Sequence, residues 1–161
     1  MAIKPEFILQ FEKASGISLK QVPFKEINKK ERMINRAFSV DADNKITALS
    51  LDYIPQFLWN NIPFEKLEYL QFLSIRSCTL SDFQFLKDLK GLTSLDLSLN
   101  NIQDISFLSD LKGLTSLDLR NNQIQDISFL SDLKGLTSLD LRNNQIQDIS
   151  FLSDLKGLTS L

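Results

Sequence analysis

One block of 22 residues is repeated three times in this chain of 161 residues, and a fourth copy breaks off after LKGLTSL. The blocks at residues 111–132 and 133–154 are identical. The block at 89–110 differs from them at only three places, which are Ser98, Leu99 and Asn101. A fixed period of this length predicts a solenoid, because such units bury their apolar residues only by stacking on their neighbours. We therefore expect a row of coils, one for each repeat, rather than a single globular core.

Two periodicities divide each block into a strand and a short helical segment. The L-x-L run alternates with period two, which predicts a short strand with its leucines on one face. The D-I-x-x-L-x-x-L run advances in steps of three, which predicts a 3₁₀ segment or a short helix. Asp104 and its equivalents stand where an N-cap is expected, and Gly113 and its equivalents where a positive φ is expected.

An asparagine follows the strand in each block, at Asn100, Asn122 and Asn144. The repeat pattern turns this side chain inward, and a buried amide must be hydrogen-bonded. We therefore predict a ladder in which each amide bonds backbone groups of its own coil and the neighbouring coil. Cys78 occupies the same position in the preceding repeat, so we expect a buried thiol rather than a nucleophile.

The framework of LTSLDLRNNQIQDISFLSDLKG resembles the leucine-rich repeat family, and in particular its 22-residue bacterial, internalin-type class. The resemblance covers about residues 46–161, although the repeats before residue 89 follow the pattern less strictly. It implies a right-handed α/β solenoid with a parallel β-sheet on the concave face and 3₁₀ or short helical segments on the convex face. It also implies a non-enzymatic role in which the concave face binds another protein.

Residues 1–45 do not repeat, and we predict that they form an N-terminal cap on a solenoid that spans residues 46–161. The pattern of this segment predicts a helix between Pro5 and Gly16, and a second helix over residues 24–38. Residues 38–51 are predicted to form a hairpin that turns at residues 42–45 and ends in the first solenoid strand. The last repeat is incomplete, and no C-terminal cap is visible in the sequence.

Several classes of function are disfavoured by the composition. The chain has no histidine, one cysteine, no metal-ligand spacing and no glycine-rich phosphate loop, so we predict no enzymatic activity, metal or cofactor. A net charge of −2 does not suggest nucleic-acid binding. No apolar run is long enough for a membrane span, and no signal-peptide pattern begins the chain. These features predict a cytoplasmic protein, with a secreted or surface origin still open if the chain has been trimmed.

The outward positions of the strands are the candidate surface for a protein partner. An anchor cluster near the N-terminal end contains aromatic and arginine side chains, which are enriched at interfaces, and consists of Tyr53, Phe72, Arg76 and Leu99. Packing against the N-terminal cap is an alternative explanation for Phe72 and Tyr53. The alternative is a solvated face kept polar by charge, which the identical Ser-Asp-Arg rows favour. The candidate residues are Asp52, Tyr53, Phe72, Arg76, Asp96, Leu99, Asp118, Arg120, Asp140 and Arg142.

The unfinished fourth copy suggests a different kind of contact. An uncovered coil leaves apolar side chains and an unpaired strand edge, and such edges pair readily with another chain. Our second hypothesis is therefore a structural or engineered repeat scaffold that associates with itself, most simply as a homodimer, through its C-terminal end. The candidate residues for this contact are Leu136, Leu139, Leu158 and Leu161.

Overall fold

The computed structural model describes residues 4–27, 36–62, 64–80 and 82–160. Within these residues the chain forms one sheet of seven strands that lie in the order of the sequence. Strands β2 and β3 pair antiparallel, and the other neighbouring strands pair parallel. The strands are β1 (Lys20–Gln21), β2 (Ala37–Val40), β3 (Ile46–Ser50), β4 (Phe72–Ser74), β5 (Ser94–Asp96), β6 (Ser116–Asp118) and β7 (Ser138–Asp140).

A 3₁₀ segment follows each strand from β3 onward. These segments are Gln56–Asn61 and Phe64–Lys66 after β3, Gln84–Asp88 after β4, Ser106–Asp110 after β5, Ser128–Asp132 after β6, and Ser150–Asp154 after β7. Leu95, Leu117 and Leu139 stand opposite one another in the sheet and point into the core between the strands and the 3₁₀ segments. This architecture confirms the α/β repeat solenoid predicted from the two periodicities.

The predicted asparagine ladder is present. The Asn122 side-chain oxygen accepts a hydrogen bond from the Ile102 amide at 3.0 Å, and its nitrogen donates to the carbonyls of Leu97 and Leu119. Asn100 and Asn144 bond in the same manner to neighbouring coils. Each amide thus joins adjacent coils while it satisfies backbone groups freed at the bend.

Cys78 is buried at its position in this ladder, as predicted. Its thiol donates to the Leu51 carbonyl at 3.3 Å, and burial raises the pKa of the thiol to about 11. A thiol with so high a pKa stays protonated near neutral pH and is a weak nucleophile.

The repeat glycines have a different role from the one we predicted. Gly16 is the only glycine with a positive φ, so the expectation of positive φ at Gly113 and its equivalents is wrong. A Cβ at Gly113 would lie 3.3 Å from the Leu92 carbonyl oxygen of the preceding coil, and one at Gly135 would lie 3.3 Å from that of Leu114. These glycines allow close approach between coils.

Asp104, Asp126 and Asp148 cap the 3₁₀ segments, but from one residue earlier than an N-cap. Each carboxylate accepts a hydrogen bond at 2.8 Å from the amide two residues later, which is the first residue of the segment. In Asp126 and Asp148 this backbone hydrogen bond is the main reason that the carboxyl pKa lies below its ordinary value.

The N-terminal helix α1 (Glu6–Ser15) begins after Pro5 and ends at Gly16, which adopts a φ of 68°, as predicted. Its apolar face joins the core of the solenoid through Phe7, Ile8 and Phe11. This packing supplies a cover for the first coil, but the division of the chain at residues 45/46 stays a prediction.

The second predicted helix, over residues 24–38, is too long. Helix α2 spans Phe24–Ile27, and residues 28–35 lie outside the described part of the chain. Ala37 and Phe38 belong to β2, where they pair with Ser50 and Leu49 of the predicted hairpin. Both side chains are fully buried, so packing against the sheet decides their conformation.

Candidate functional site

The outward side chains of β3–β7 and of the residues just after each strand form one surface, which we call the sheet face. Neighbouring coils place equivalent side chains side by side, so the face consists of three rows. The rows are Ala48, Phe72, Ser94, Ser116 and Ser138; Ser50, Ser74, Asp96, Asp118 and Asp140; and Asp52, Arg76, Ser98, Arg120 and Arg142.

The N-terminal end of the sheet face is covered by the chain itself. Val22 and Ile27, from the segment that contains β1 and α2, pack with Ala37, Ala48 and Phe72 in a hydrophobic cluster separate from the main core. Phe72 is only 8% exposed as a result. Of the two explanations for Phe72, packing against the N-terminal segment is therefore the one that these contacts support.

Asp52 is also buried, at 3% exposure. Its carboxylate accepts hydrogen bonds from the Ser74 hydroxyl at 2.6 Å and from the Arg76 amide at 3.0 Å. Burial raises the carboxyl pKa above its ordinary value, although these hydrogen bonds oppose the increase. The geometry makes Asp52 a link between two coils and not an open contact residue.

The sheet face is more accessible over β5–β7. Each of these strands ends at an aspartate of the second row. The carboxylate of Asp96 accepts a hydrogen bond from the amide two residues later at 3.0 Å, and those of Asp118 and Asp140 do so at 3.2 Å. A local bond of this kind competes with continuation of a strand. The sequence pattern predicted these aspartates as partner-binding candidates and did not indicate this role.

The arginines beside this row differ in their surroundings. Arg142 forms two hydrogen bonds to Asp140, of 2.9 Å from Nε and 2.6 Å from Nη2, while its side chain remains largely exposed. Arg120 Nε lies 3.2 Å from Asp118. Arg76 Nε lies 3.6 Å from Asp96 and is buried without a hydrogen-bond acceptor among the described residues.

A further row borders the sheet face where the chain leaves each strand, and we call it the rim row. Its five members all have φ between 52° and 61°, and the backbone amide of each of the first four donates to the next coil. Asparagine tolerates this conformation and bulky apolar residues do not. The Asn-Asn pairs of the repeats are the sequence signal for this row, because the first asparagine of each pair occupies it, whereas the ladder prediction used only the second. The row consists of Tyr53, Ser77, Leu99, Asn121 and Asn143.

Two of the predicted anchors are in the rim row and are accessible. Tyr53 and Leu99 are each 41% exposed, and they are among the few large hydrophobic side chains exposed in the described part of the chain. Arg76 follows β4 and directly precedes Ser77, which lies between them in the rim row. The structure therefore brings Tyr53, Arg76 and Leu99 together and separates them from the buried Phe72.

The C-terminal residues predicted for self-association are mostly inaccessible. Leu136 and Leu139 are buried, Leu158 is half-buried, and Leu161 lies outside the described residues. The amide of Leu139 donates to the Ser160 carbonyl at 3.0 Å, so the start of the fourth copy already pairs with β7. The exposed apolar side chain of this end is Ile149, at 64%, whereas its equivalent Ile127 is fully buried.

The described ranges show no group of three or more acidic, cysteine or histidine side chains arranged to hold a metal ion. In the same ranges, no helix is long and apolar enough to cross a membrane.

The comparisons with known proteins agree on one fold. The family model for leucine-rich repeats (two copies) matches residues 90–132 and 112–155. The crystal structure of an internalin (inlF) from Listeria monocytogenes matches this chain with 28% sequence identity and a TM-score of 0.55. The match covers 79% of this chain and 45% of the internalin chain. The sequence matches no curated protein.

Two further solved structures support the same fold at lower identity. An internalin C2 from Listeria monocytogenes is 21% identical, with a TM-score of 0.63, and covers 98% of this chain and 93% of that chain. A leucine-rich repeat protein of Leptospira interrogans is 18% identical, with a TM-score of 0.66, and covers 88% of this chain and 40% of that chain. The chain thus spans less than half of the first internalin and of the Leptospira protein.

Proposed function

We propose that this chain, which is similar to leucine-rich repeat proteins of the internalin type, is a non-enzymatic module that binds a protein partner on its sheet face. Repeat solenoids in general use an extended face of this kind for binding. One observation carries the proposal: the sheet face already accommodates a polypeptide segment at one end, where Val22 and Ile27 pack on Ala48 and Phe72.

The uncovered part over β5–β7 offers the same geometry to a segment from another protein. Its small serines allow close approach, and the Arg120 and Arg142 guanidinium groups provide planar hydrogen-bond donors. Each arginine is held beside an aspartate, at 3.2 Å and 2.6 Å, so its position is partly fixed before binding. Prior ordering of contact residues lowers the entropic cost of association.

The proposal is tested by crosslinking from the sheet face, followed by affinity measurements. A photo-crosslinking residue at Ser116 is expected to trap a protein partner, whereas one at Ser131, outside the sheet face, is not. The purified partner should then bind the double variant Arg120→Ser/Arg142→Ser about tenfold or more weakly. Serine suits these positions because Ser98 occupies the equivalent place in the preceding coil. Unchanged affinity for every sheet-face variant would contradict the proposal.

Self-association through the last coil is the second candidate function. Ile149 is 64% exposed while Ile127, in an identical block, is fully buried, so this coil presents apolar surface that inner coils do not. A second copy that covers Ile149 would bury this surface. Light scattering over a concentration series should reveal a dimer that Ile149→Asp abolishes and the control Leu9→Asp, on α1, retains. A monomer at millimolar concentration would exclude this candidate.

A further inference from the structure

We infer that the principal contact of this module lies on the rim row at Tyr53, Ser77 and Leu99, and that it takes a peptide segment bearing an apolar side chain next to a carboxylate. The inference rests on the proposed function and specifies the chemistry of the partner. It shifts the centre of binding from the Ser-Asp-Arg rows to the border of the sheet face.

The repeats depart from identity at this part of the rim row. The block at 89–110 differs from the later blocks at three residues, and two of these, Ser98 and Leu99, are adjacent and lie on the third row and the rim row. Leu99 adopts a φ of 61°, in a position that Asn121 and Asn143 fill in the identical blocks. Asparagine suits this backbone conformation better than leucine does.

Local stability therefore does not explain the leucine. Leu99 combines a disfavoured backbone conformation with an exposed apolar side chain, and Tyr53 does the same two coils away. Strained residues of this kind cluster at functional sites. Tyr69, another exposed aromatic residue, has a local explanation, because the Lys45 ammonium lies 4.0 Å from its ring centre.

The shape of the rim row also favours a contact at this place. Neighbouring strands lie about 4.8 Å apart, so Tyr53 and Leu99, with one coil between them, are separated by about 10 Å. The residue of the intervening coil is the small Ser77. A small side chain between two large exposed ones leaves a notch about as wide as one aliphatic or aromatic side chain, and this notch is the proposed pocket for the apolar residue of the partner.

Positive charge lies beside the notch. The exposed Arg36 donates from Nη2 to the Tyr53 carbonyl at 3.0 Å and from Nε to the Asp52 carbonyl at 3.4 Å, which are neutral acceptors. Arg76 precedes Ser77, and the small Ser98 beside it is fully buried against Asp96. The Asp52 carboxylate is buried and directed to Ser74, and the Asp96 carboxylate lies 3.6 Å from Arg76 Nε, so Arg76 is already paired. Among the described residues, the exposed Arg36 guanidinium is therefore the free positive charge beside the notch, and guanidinium is well matched to a carboxylate.

The test is selection of peptides from a displayed library of random 12-residue sequences. Panning on the whole chain is expected to enrich sequences with Asp or Glu beside an aliphatic or aromatic residue. Synthetic copies of these peptides should bind Leu99→Asn and Tyr53→Asn at least tenfold more weakly than the parent chain. The control Leu9→Asn, which removes an exposed leucine from α1, should keep affinity within twofold.

A second readout separates a binding role from a structural one. Leu99→Asn should raise the melting temperature by about 3 °C, because asparagine relieves the backbone strain, even as affinity falls. The reverse exchange Asn121→Leu should lower the melting temperature and leave peptide affinity unchanged. A variant that lost affinity and stability together would indicate that Leu99 is a packing residue, which would overturn the inference.

The other results of the peptide selection and the affinity measurements also test the inference. Peptides that bind both rim variants normally but bind Arg120→Ser/Arg142→Ser weakly would overturn the inference and leave the proposed function intact. Enrichment of basic peptides, or no enrichment over the double variant Tyr53→Asn/Leu99→Asn, would overturn it as well. A protein partner whose affinity no rim or sheet-face variant changes would contradict both the inference and the proposed function.

Discussion

Asp118 and Asp140 occupy the same position in two identical blocks, yet their pKa values move in opposite directions. Burial, followed by the charge of Asp96, raises the pKa of Asp118 to about 6. Hydrogen bonds from Arg142 are the main reason that the pKa of Asp140 lies below its ordinary value. At the scale of the residue, the number of covering coils and the neighbouring charges therefore decide the chemistry, because the local sequence is the same.

The raised pKa of Asp118 predicts a pH-dependent stability. A carboxyl group whose pKa is about 6 when folded and 3.8 when unfolded binds its proton more tightly in the folded chain, so its charging costs stability as the pH rises from about 4 to 7. Asp118→Asn removes this cost. We expect the variant to lose less stability than the parent between pH 4.5 and 7.5, and to be more stable by about 1 kcal/mol at pH 7.5 in urea unfolding.

Asp140→Asn is the matched control, and its expected sign is opposite. A lowered pKa contributes stability that is present above the unfolded value of 3.8 and is lost as the pH falls through the folded value. Removal of this carboxylate should therefore destabilise the chain at neutral pH, by an amount that decreases as the pH falls below 3.8. If both variants responded to pH in the same direction, the difference between the two aspartates would be refuted.

At the scale of the element, the distance between coils depends on the turn glycines. A Cβ added at Gly135 would lie 3.3 Å from the Leu114 carbonyl oxygen, and backbone cannot move aside as a flexible side chain can. Gly135→Ala should therefore destabilise the chain by about 1 kcal/mol, with the steric cost exceeding the entropy gained by restricting the unfolded chain. Circular dichroism during urea unfolding measures this change.

Gly157→Ala provides the comparison within the last described coil. The added Cβ would lie 3.2 Å from the Leu136 carbonyl oxygen, but residues 155–160 join the sheet through one bridge and can shift at lower cost. We expect a smaller loss of stability than for Gly135→Ala. Stabilisation by Gly135→Ala would mean that the coils separate freely, which would contradict the close-approach explanation.

The sequence predicted an element well where the spacing of its residues matches the pattern of side chains that the fold buries. The alternating leucines located β5–β7, and the inward asparagines located the ladder, because each block repeats the same information. Positive φ was assigned to Gly113 when Asn121 carries it, since both residue types adopt that conformation and only the fold determines which one does. Packing of Phe72 against the N-terminal cap was one of two explanations that the sequence offered, but Val22 could not be identified as its contact, because the pair joins non-repeating residues distant in sequence.

At the scale of the whole molecule, the chain behaves as a stack whose coils are stabilised by their neighbours. In the coil after β6, Ile127 and Leu130 are fully buried. In the identical coil after β7, Ile149 is 64% exposed and Leu152 is half-buried. The two coils have the same intrinsic stability because their sequences are identical, so any difference between them measures the contribution of a covering neighbour.

This difference should appear directly in amide hydrogen exchange. The amides of Leu130 and Leu152 make the same 3.0 Å hydrogen bond within their 3₁₀ segments, so static geometry predicts equal protection. Local opening of the outer coil exposes less additional apolar surface to water, so its free energy of opening is lower. We therefore expect the Leu152 amide to exchange about tenfold or more faster than the Leu130 amide. Equal protection in a 161-residue monomer would show that the solenoid opens only as one cooperative unit. Protection of Leu152 that increased with protein concentration would instead identify the last coil as the surface that a second copy covers.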